Sequence, residues 1–140
     1  MTFEIDHLGI AVRNLEEALR FYRQLLGMPV SARETVTEER VNVAMLPAGI
    51  ASHAPRLELL EAPDEESTIA KFIEKRGPGL HHIALRVDDL EATANRLAAA
   101  GARLLNEARR GAGGHTYIFI HPSSTGGVLL ELIQKENQIS

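Results

Sequence analysis

The chain has no cysteine and no tryptophan, and only six aromatic residues, two Tyr and four Phe, in 140 positions. Without cysteine, disulfides, thiolate nucleophiles and sulfur-ligated zinc are excluded. Any metal would have to bind through His, Asp or Glu. No Lys/Arg run is present, and 15 Lys+Arg against 19 Asp+Glu leave a net charge of −4. That balance lacks the basic footprint a nucleic acid demands. No apolar run approaches membrane-spanning length, and the opening MTFEIDHLGI lacks the basic start and apolar core of a signal peptide. The expectation is a cytoplasmic enzyme or binding protein with no membrane partner. At 44% hydrophobic and 24% charged residues, the composition is that of one soluble globular domain. A chain of this size can bury about two-thirds of its surface without staples.

An internal repeat organises what is there. The run Asp6-His7-Leu8-Gly9-Ile10-Ala11-Val12-Arg13-Asn14-Leu15-Glu16 lies without gaps over His81-His82-Ile83-Ala84-Leu85-Arg86-Val87-Asp88-Asp89-Leu90-Glu91, an offset of 75 residues. Each copy passes from an alternating strand through an N-cap residue, Asn14 or Asp89, into helical periodicity. The first helix carries Leu15, Ala18, Leu19, Tyr22, Leu25 and Leu26 on one stripe and stops at Gly27; the second carries Leu90, Ala94 and Leu97 and stops at Gly101. Strands are expected at Val30 to Thr35, Arg40 to Leu46 and Arg56 to Leu60, and again at Arg103 to Glu107, Tyr117 to His121 and Val128 to Gln134. Both halves read βαβββ. A short helix from Thr68 to Lys75, capped by Ser67 and broken by Gly77-Pro78-Gly79, links them. The layout is thus a single α+β domain over residues 1–140: module 1 about 3–62, a linker helix about 63–78, and module 2 about 79–136.

Side chains alternate across a strand, so Leu8, Ile10 and Val12 share one face and His7, Gly9 and Ala11 the other. The second copy sets Ile83, Leu85 and Val87 opposite His82 and Ala84. One face is bulky and suits helix packing; the other presents a histidine beside small residues. The closing strands match as well, Leu57-Glu58-Leu59-Leu60 aligning with Leu130-Glu131-Leu132-Ile133, with His-to-Glu spacings of 51 and 49. Glu131 shares its face with Leu129 and Ile133, where a lone carboxylate is costly unless a cation compensates it. Taken singly, each of these four residues has an ordinary structural explanation. Taken together, at positions related by the repeat, His7, Glu58, His82 and Glu131 form a nitrogen and oxygen donor set suited to Co²⁺, Mn²⁺, Ni²⁺, Fe²⁺ or Zn²⁺.

The other histidines read as non-ligands: His81 on the helix-packed face, His53 in a loop, and His115 and His121 flanking a strand. Gly111-Ala112-Gly113-Gly114 has no Lys-Ser/Thr sequel and reads as plain loop, while Thr125-Gly126-Gly127 reads as a hairpin turn. Arg109 and Arg110 are either solvated or meet an anionic substrate tail.

The chain resembles the vicinal oxygen chelate superfamily (glyoxalase, bleomycin resistance and dioxygenase proteins) and, within it, the methylmalonyl-CoA epimerases, from Asp6 to Gln134. The stretches that carry the resemblance are Asp6 to Val12, Ser67 to Phe72, Gly79 to Ala84, Gly111 to Gly114, and His121-Pro122 followed by Gly126 to Leu132. It implies paired βαβββ modules forming a cupped eight-stranded mixed sheet with helices on the convex side. It also implies a divalent metal on His7, Glu58, His82 and Glu131, Co²⁺ first with Mn²⁺, Ni²⁺ or Zn²⁺ as alternatives, an acyl-CoA substrate, and a homodimer. Two departures stand out. Val43 occupies the position where many bacterial members carry an acid proposed as a second base, and Ser123 replaces a basic residue after His-Pro.

The activity implied is interconversion of 2R- and 2S-methylmalonyl-CoA through proton abstraction at C2 and a metal-stabilised enolate, with Glu131 as a base. Glu38, Glu39 or a metal-bound water are candidates for the second base. The alternatives are a lactoylglutathione lyase (glyoxalase I)-type isomerase and a non-catalytic ligand-sequestering protein of the same fold. An extradiol dioxygenase is disfavoured, because that chemistry uses two His and one Glu rather than four ligands.

Overall fold

The computed structural model describes residues 2–110 and 115–135, so the glycine-rich run from Gly111 to Gly114 lies outside the described residues. The architecture is α+β. The described residues fall into two compact units, one spanning His7–His81 and the other combining residues 2–6 with the chain from His82 onward.

In the first unit the elements are β1 (Glu4–Val12), α1 (Leu15–Leu19), β2 (Ala32–Val36), β3 (Val41–Pro47), β4 (Arg56–Glu61) and α2 (Thr68–Arg76). The strands lie in the order β2-β3-β4-β1. From His7 onward β1 runs parallel to β4, and β3 is antiparallel to both β4 and β2. Side-chain alternation then gives the sheet two different faces. Ala44, Leu46 and Leu59 pack with Leu15 and Leu19 of α1. On the other face Ala11, Val43 and Leu60 pack with Ile69 and Ile73 of α2. The linker helix is therefore part of this unit's core, and it lies on the face opposite α1 instead of sharing one helical side with it as the resemblance implies. Each fully buried aliphatic side chain contributes about 1.5–3 kcal/mol.

The second unit holds β5 (Gly79–Arg86), α3 (Leu90–Ala99), a two-residue strand β6 (Arg109–Arg110), β7 (His115–Ile120) and β8 (Leu130–Lys135). Their order is β5-β8-β7-β6, with β5 parallel to β8 and β7 antiparallel to it. Val87, Leu90, Ile118, Ile120 and Leu132 form the core on the α3 side, and Ala84, Tyr117 and Ile133 the opposite face. Residues 2–6 join this unit through polar contacts. Thr2 N–H donates to Asp88 at 3.1 Å, and the Asp6 carboxylate, fully buried, meets Arg86 at 2.7 Å and Lys135 at 3.2 Å. Two cations offset the desolvation of that acid.

The repeat is written into the helix starts. Glu17 N–H donates to Asn14 Oδ1 and Ala92 N–H to Asp89 Oδ1, each at 3.0 Å. The next free amide of each helix is met by a side chain from a closing strand, Leu15 N–H by Glu61 Oε2 and Leu90 N–H by Gln134 Oε1, both at 2.7 Å.

Two elements differ from expectation. The first helix is α-helical only to Leu19 and continues as a π-helix from Arg20 to Leu25, with Leu26 N–H reaching back five residues to Phe21 C=O at 2.8 Å. A wider turn advances each residue less around the axis, so the 3.6-residue stripe is lost. Leu25 and Leu26 are 79% and 58% exposed instead of buried. The strand expected at Arg103 to Glu107 is reduced to one bridge, Leu104 to Ile120. There the Asn106 amide takes over the pairing, accepting from Phe119 N–H at 2.8 Å and donating to Tyr117 C=O at 3.2 Å.

Candidate metal centre

Parallel pairing of β1 with β4 sets His7 beside Arg56 and Gly9 beside Glu58. His7, Ala11, Glu58 and Leu60 all project from the face opposite α1. His7 Nδ1 lies 3.2 Å from Glu58 Oε2, and the two residues are only 4% and 8% exposed. The second unit repeats the arrangement. His82 on β5 and Glu131 on β8 project from the face opposite α3, with His82 Nε2 3.2 Å from Glu131 Oε1 and each residue 6% exposed. The edge of the His82 ring meets Phe119, centroid to centroid 5.6 Å, and Phe119 pairs with Glu131 across β7 and β8. Each unit thus brings together its expected imidazole and carboxylate.

Each buried pair is of a kind that suits a cation. A carboxylate out of water needs positive charge nearby, and a neutral imidazole aimed at it offers a further lone pair. The donor set has no sulfur and suits a borderline or hard divalent ion, so the residues fit the metal the resemblance implies.

The remaining histidines lie elsewhere. His53 is beside Ser52 in an exposed turn, and His81 is half-buried with its ring against Phe72 of α2 at 4.8 Å. His115 rests against Tyr117 at 6.1 Å. His121 caps the short 3₁₀ turn Pro122–Ser124, accepting from Ser123 N–H at 3.0 Å. Thr125 to Gly127 close the turn that follows, with positive φ at Gly126 and Gly127 and Gly127 N–H donating to Pro122 C=O. Val43 is buried in the apolar layer under α2, so β3 presents no acid at that position. Glu38 and Glu39 sit in the turn before β3. Glu58 faces Met45, four residues along the strand from Val41 and so about 14 Å away, beyond hydrogen-bond reach of that turn.

Sequence reasoning missed Arg56. Its guanidinium Nη2 donates to Glu58 Oε2 at 2.9 Å, and its side chain is 19% exposed. The signal was available, since residues two apart on a strand share a face.

The family model for the glyoxalase/bleomycin resistance protein/dioxygenase superfamily matches residues 6–119. The chain belongs to this superfamily. It is 39% identical over 137 residues to an ethylmalonyl-CoA/methylmalonyl-CoA epimerase of Cereibacter sphaeroides, covering 96% of this chain and 99% of that protein. It is 38% identical over 132 residues to the mitochondrial methylmalonyl-CoA epimerase of Homo sapiens, covering 93% of this chain and 73% of that one. Among solved structures it is similar to a Streptomyces coelicolor methylmalonyl-CoA epimerase in complex with 2-nitronate-propionyl-CoA. That match has a TM-score of 0.88 and 39% identity, covering 95% of this chain and 97% of the other. The superfamily member described here is therefore a homologue of methylmalonyl-CoA epimerases.

Proposed function

We propose that the protein is a divalent-metal-dependent epimerase that interconverts 2R- and 2S-methylmalonyl-CoA. The observation that carries this reading is the recurrence of one buried His–Glu pair, His7 with Glu58 and His82 with Glu131, at repeat-related positions of a chain homologous to such epimerases. In this reading the two units complete one cupped eight-stranded sheet, and all four side chains hold a single ion, Co²⁺ first, with Mn²⁺, Ni²⁺ or Zn²⁺ able to take its place. The reading also takes the working form to be a homodimer, as in the superfamily at large.

Held by His7, Glu58, His82 and Glu131, a divalent ion would supply the Lewis acidity that makes the C2 proton acidic enough to remove. The rest of the chemistry falls to the protein. Glu131 accepts the C2 proton as the C–H bond breaks and its electron pair delocalises into the thioester; its burial beside Ile133 and Phe119 keeps water from competing for that proton. His82 fixes the carboxylate through its 3.2 Å contact. Glu58, tied by His7 and Arg56, is held in place and serves as a ligand rather than a base. A water molecule on the far side of C2 gives a proton to the opposite face, which yields the other epimer, and Glu131 then releases its own proton to solvent.

The test is C2 proton exchange in D₂O with methylmalonyl-CoA, using metal-depleted protein and the same protein after Co²⁺ is restored. Exchange should appear only in the restored sample. No exchange with either, accompanied by turnover of the hemithioacetal of methylglyoxal and glutathione, would replace this reading with a lactoylglutathione lyase.

A further inference from the structure

The repeat equates the two carboxylates, but their surroundings differ at one position. Two residues before Glu58 on the same strand face is Arg56; two residues before Glu131 is Leu129. Arg56 Nη2 lies 2.9 Å from Glu58 Oε2, the same oxygen that His7 Nδ1 approaches at 3.2 Å, and both side chains of the Arg–Glu pair are largely buried. One oxygen of Glu58 is thus approached by two protein groups, the Arg56 guanidinium and the His7 ring.

We propose that Arg56 is a positioning residue, a built-in counter-ion that holds one oxygen of Glu58 and part of its charge when no metal is present, and thereby sets how tightly the ion is held. This rests on the metal reading above. A buried carboxylate with a fixed guanidinium beside it survives without an ion. The guanidinium and the ion then draw on the same negative charge. Coupling between two ligands of one site is reciprocal, so whatever Arg56 does for the empty site it subtracts from the gain on metal binding. The same positive charge also repels an incoming divalent ion. Both effects have one sign: Arg56 weakens metal binding while it preserves the empty site.

The experiment uses metal-free protein and four forms: the unaltered chain, Arg56→Leu, Arg56→Lys, and the double variant Arg56→Leu/Glu58→Gln. Melting temperatures are read without metal, and Co²⁺ affinity is read by calorimetry. Arg56→Leu should melt lower than the unaltered protein when metal-free, show a larger upward shift on adding Co²⁺, and bind Co²⁺ about tenfold more tightly. Arg56→Lys should restore both values towards those of the unaltered chain. The double variant, which removes the stranded charge, should regain most of the metal-free melting temperature. Failure of Arg56→Leu to fold while the double variant folds would equally support the proposal. An unchanged melting temperature with unchanged or weaker Co²⁺ binding in Arg56→Leu would overturn it, as would a double variant no more stable than Arg56→Leu. If the unaltered chain binds no Co²⁺, the metal reading fails, and the melting series still decides whether Arg56 compensates Glu58.

Discussion

Replacing Glu131 by Gln separates proton transfer from metal holding. The side chain is 8% exposed and keeps its shape on amidation, so packing against Ile133 and Phe119 is preserved, and the amide oxygen can still face His82 and an ion. What is lost is the ability to accept a proton. General-base catalysis contributes roughly 10²–10⁴-fold, so a loss of about 10³-fold in C2 exchange is expected. At 1.36 kcal/mol per decade this is about 4 kcal/mol of transition-state stabilisation. Glu58→Gln, at the carboxylate already tied by Arg56 and His7, should cost less in turnover per bound ion and more in metal affinity. The assay is loss of the C2 proton signal in D₂O by NMR, with metal content measured on the same sample and rates expressed per bound ion. If Glu131→Gln keeps its metal and exchanges within about tenfold of the unaltered protein, Glu131 is not the base. Equal losses per bound ion from the two variants would refute the division of labour between the two acids.

Two further outcomes follow from the scaffold. Glu61→Ala and Gln134→Ala each remove the acceptor for a first-turn amide, Leu15 N–H and Leu90 N–H, and should each lower stability by about 1 kcal/mol in urea unfolding; an unchanged midpoint would show water replacing the cap without cost. Asp64 is held below its ordinary carboxyl range, first by its hydrogen bond from Arg40, so its folded value lies below its unfolded one. Its contribution is therefore present above the unfolded value and fades as pH falls through the folded one. Asp64→Asn should be less stable than the parent at neutral pH and indistinguishable from it in strong acid. A gap that widens on acidification would give the wrong sign.

Much of the fold was legible because the two halves check one another. A histidine on the small-residue side of β1 is ambiguous alone, but His82 repeats it on β5, and the Leu-Glu-Leu pattern recurs on β4 and β8. Those alternations indicate which face each histidine and glutamate projects from, and Asn14, Ser67 and Asp89 mark the helix starts that are found. The π-helical turn after Leu19 was not legible, because a five-residue hydrogen bond leaves the apolar spacing of Arg20 to Leu26 looking like an ordinary helix. The segment around Asn106 misled for a different reason: its side-chain amide makes the hydrogen bonds a strand backbone would make, and composition does not distinguish the two. Thr68 to Lys75 reads as a connector because it lies between the two copies of the repeat, although Ile69 and Ile73 complete the layer over Val43 and Leu60. Arg56 is not legible as a site residue because an arginine is no metal-ligand type; its contact with Glu58 appears only in the fold.

Metal stoichiometry tests the central claim most directly. Purified protein loaded with Co²⁺ and freed of excess ion should carry about one equivalent per chain by elemental analysis, as a single four-ligand site requires. His7→Ala and His82→Ala, one from each half of the repeat, should each lose it, while His115→Ala keeps it. A loaded protein with essentially no ion, or full occupancy after either His7 or His82 is removed, would contradict the account.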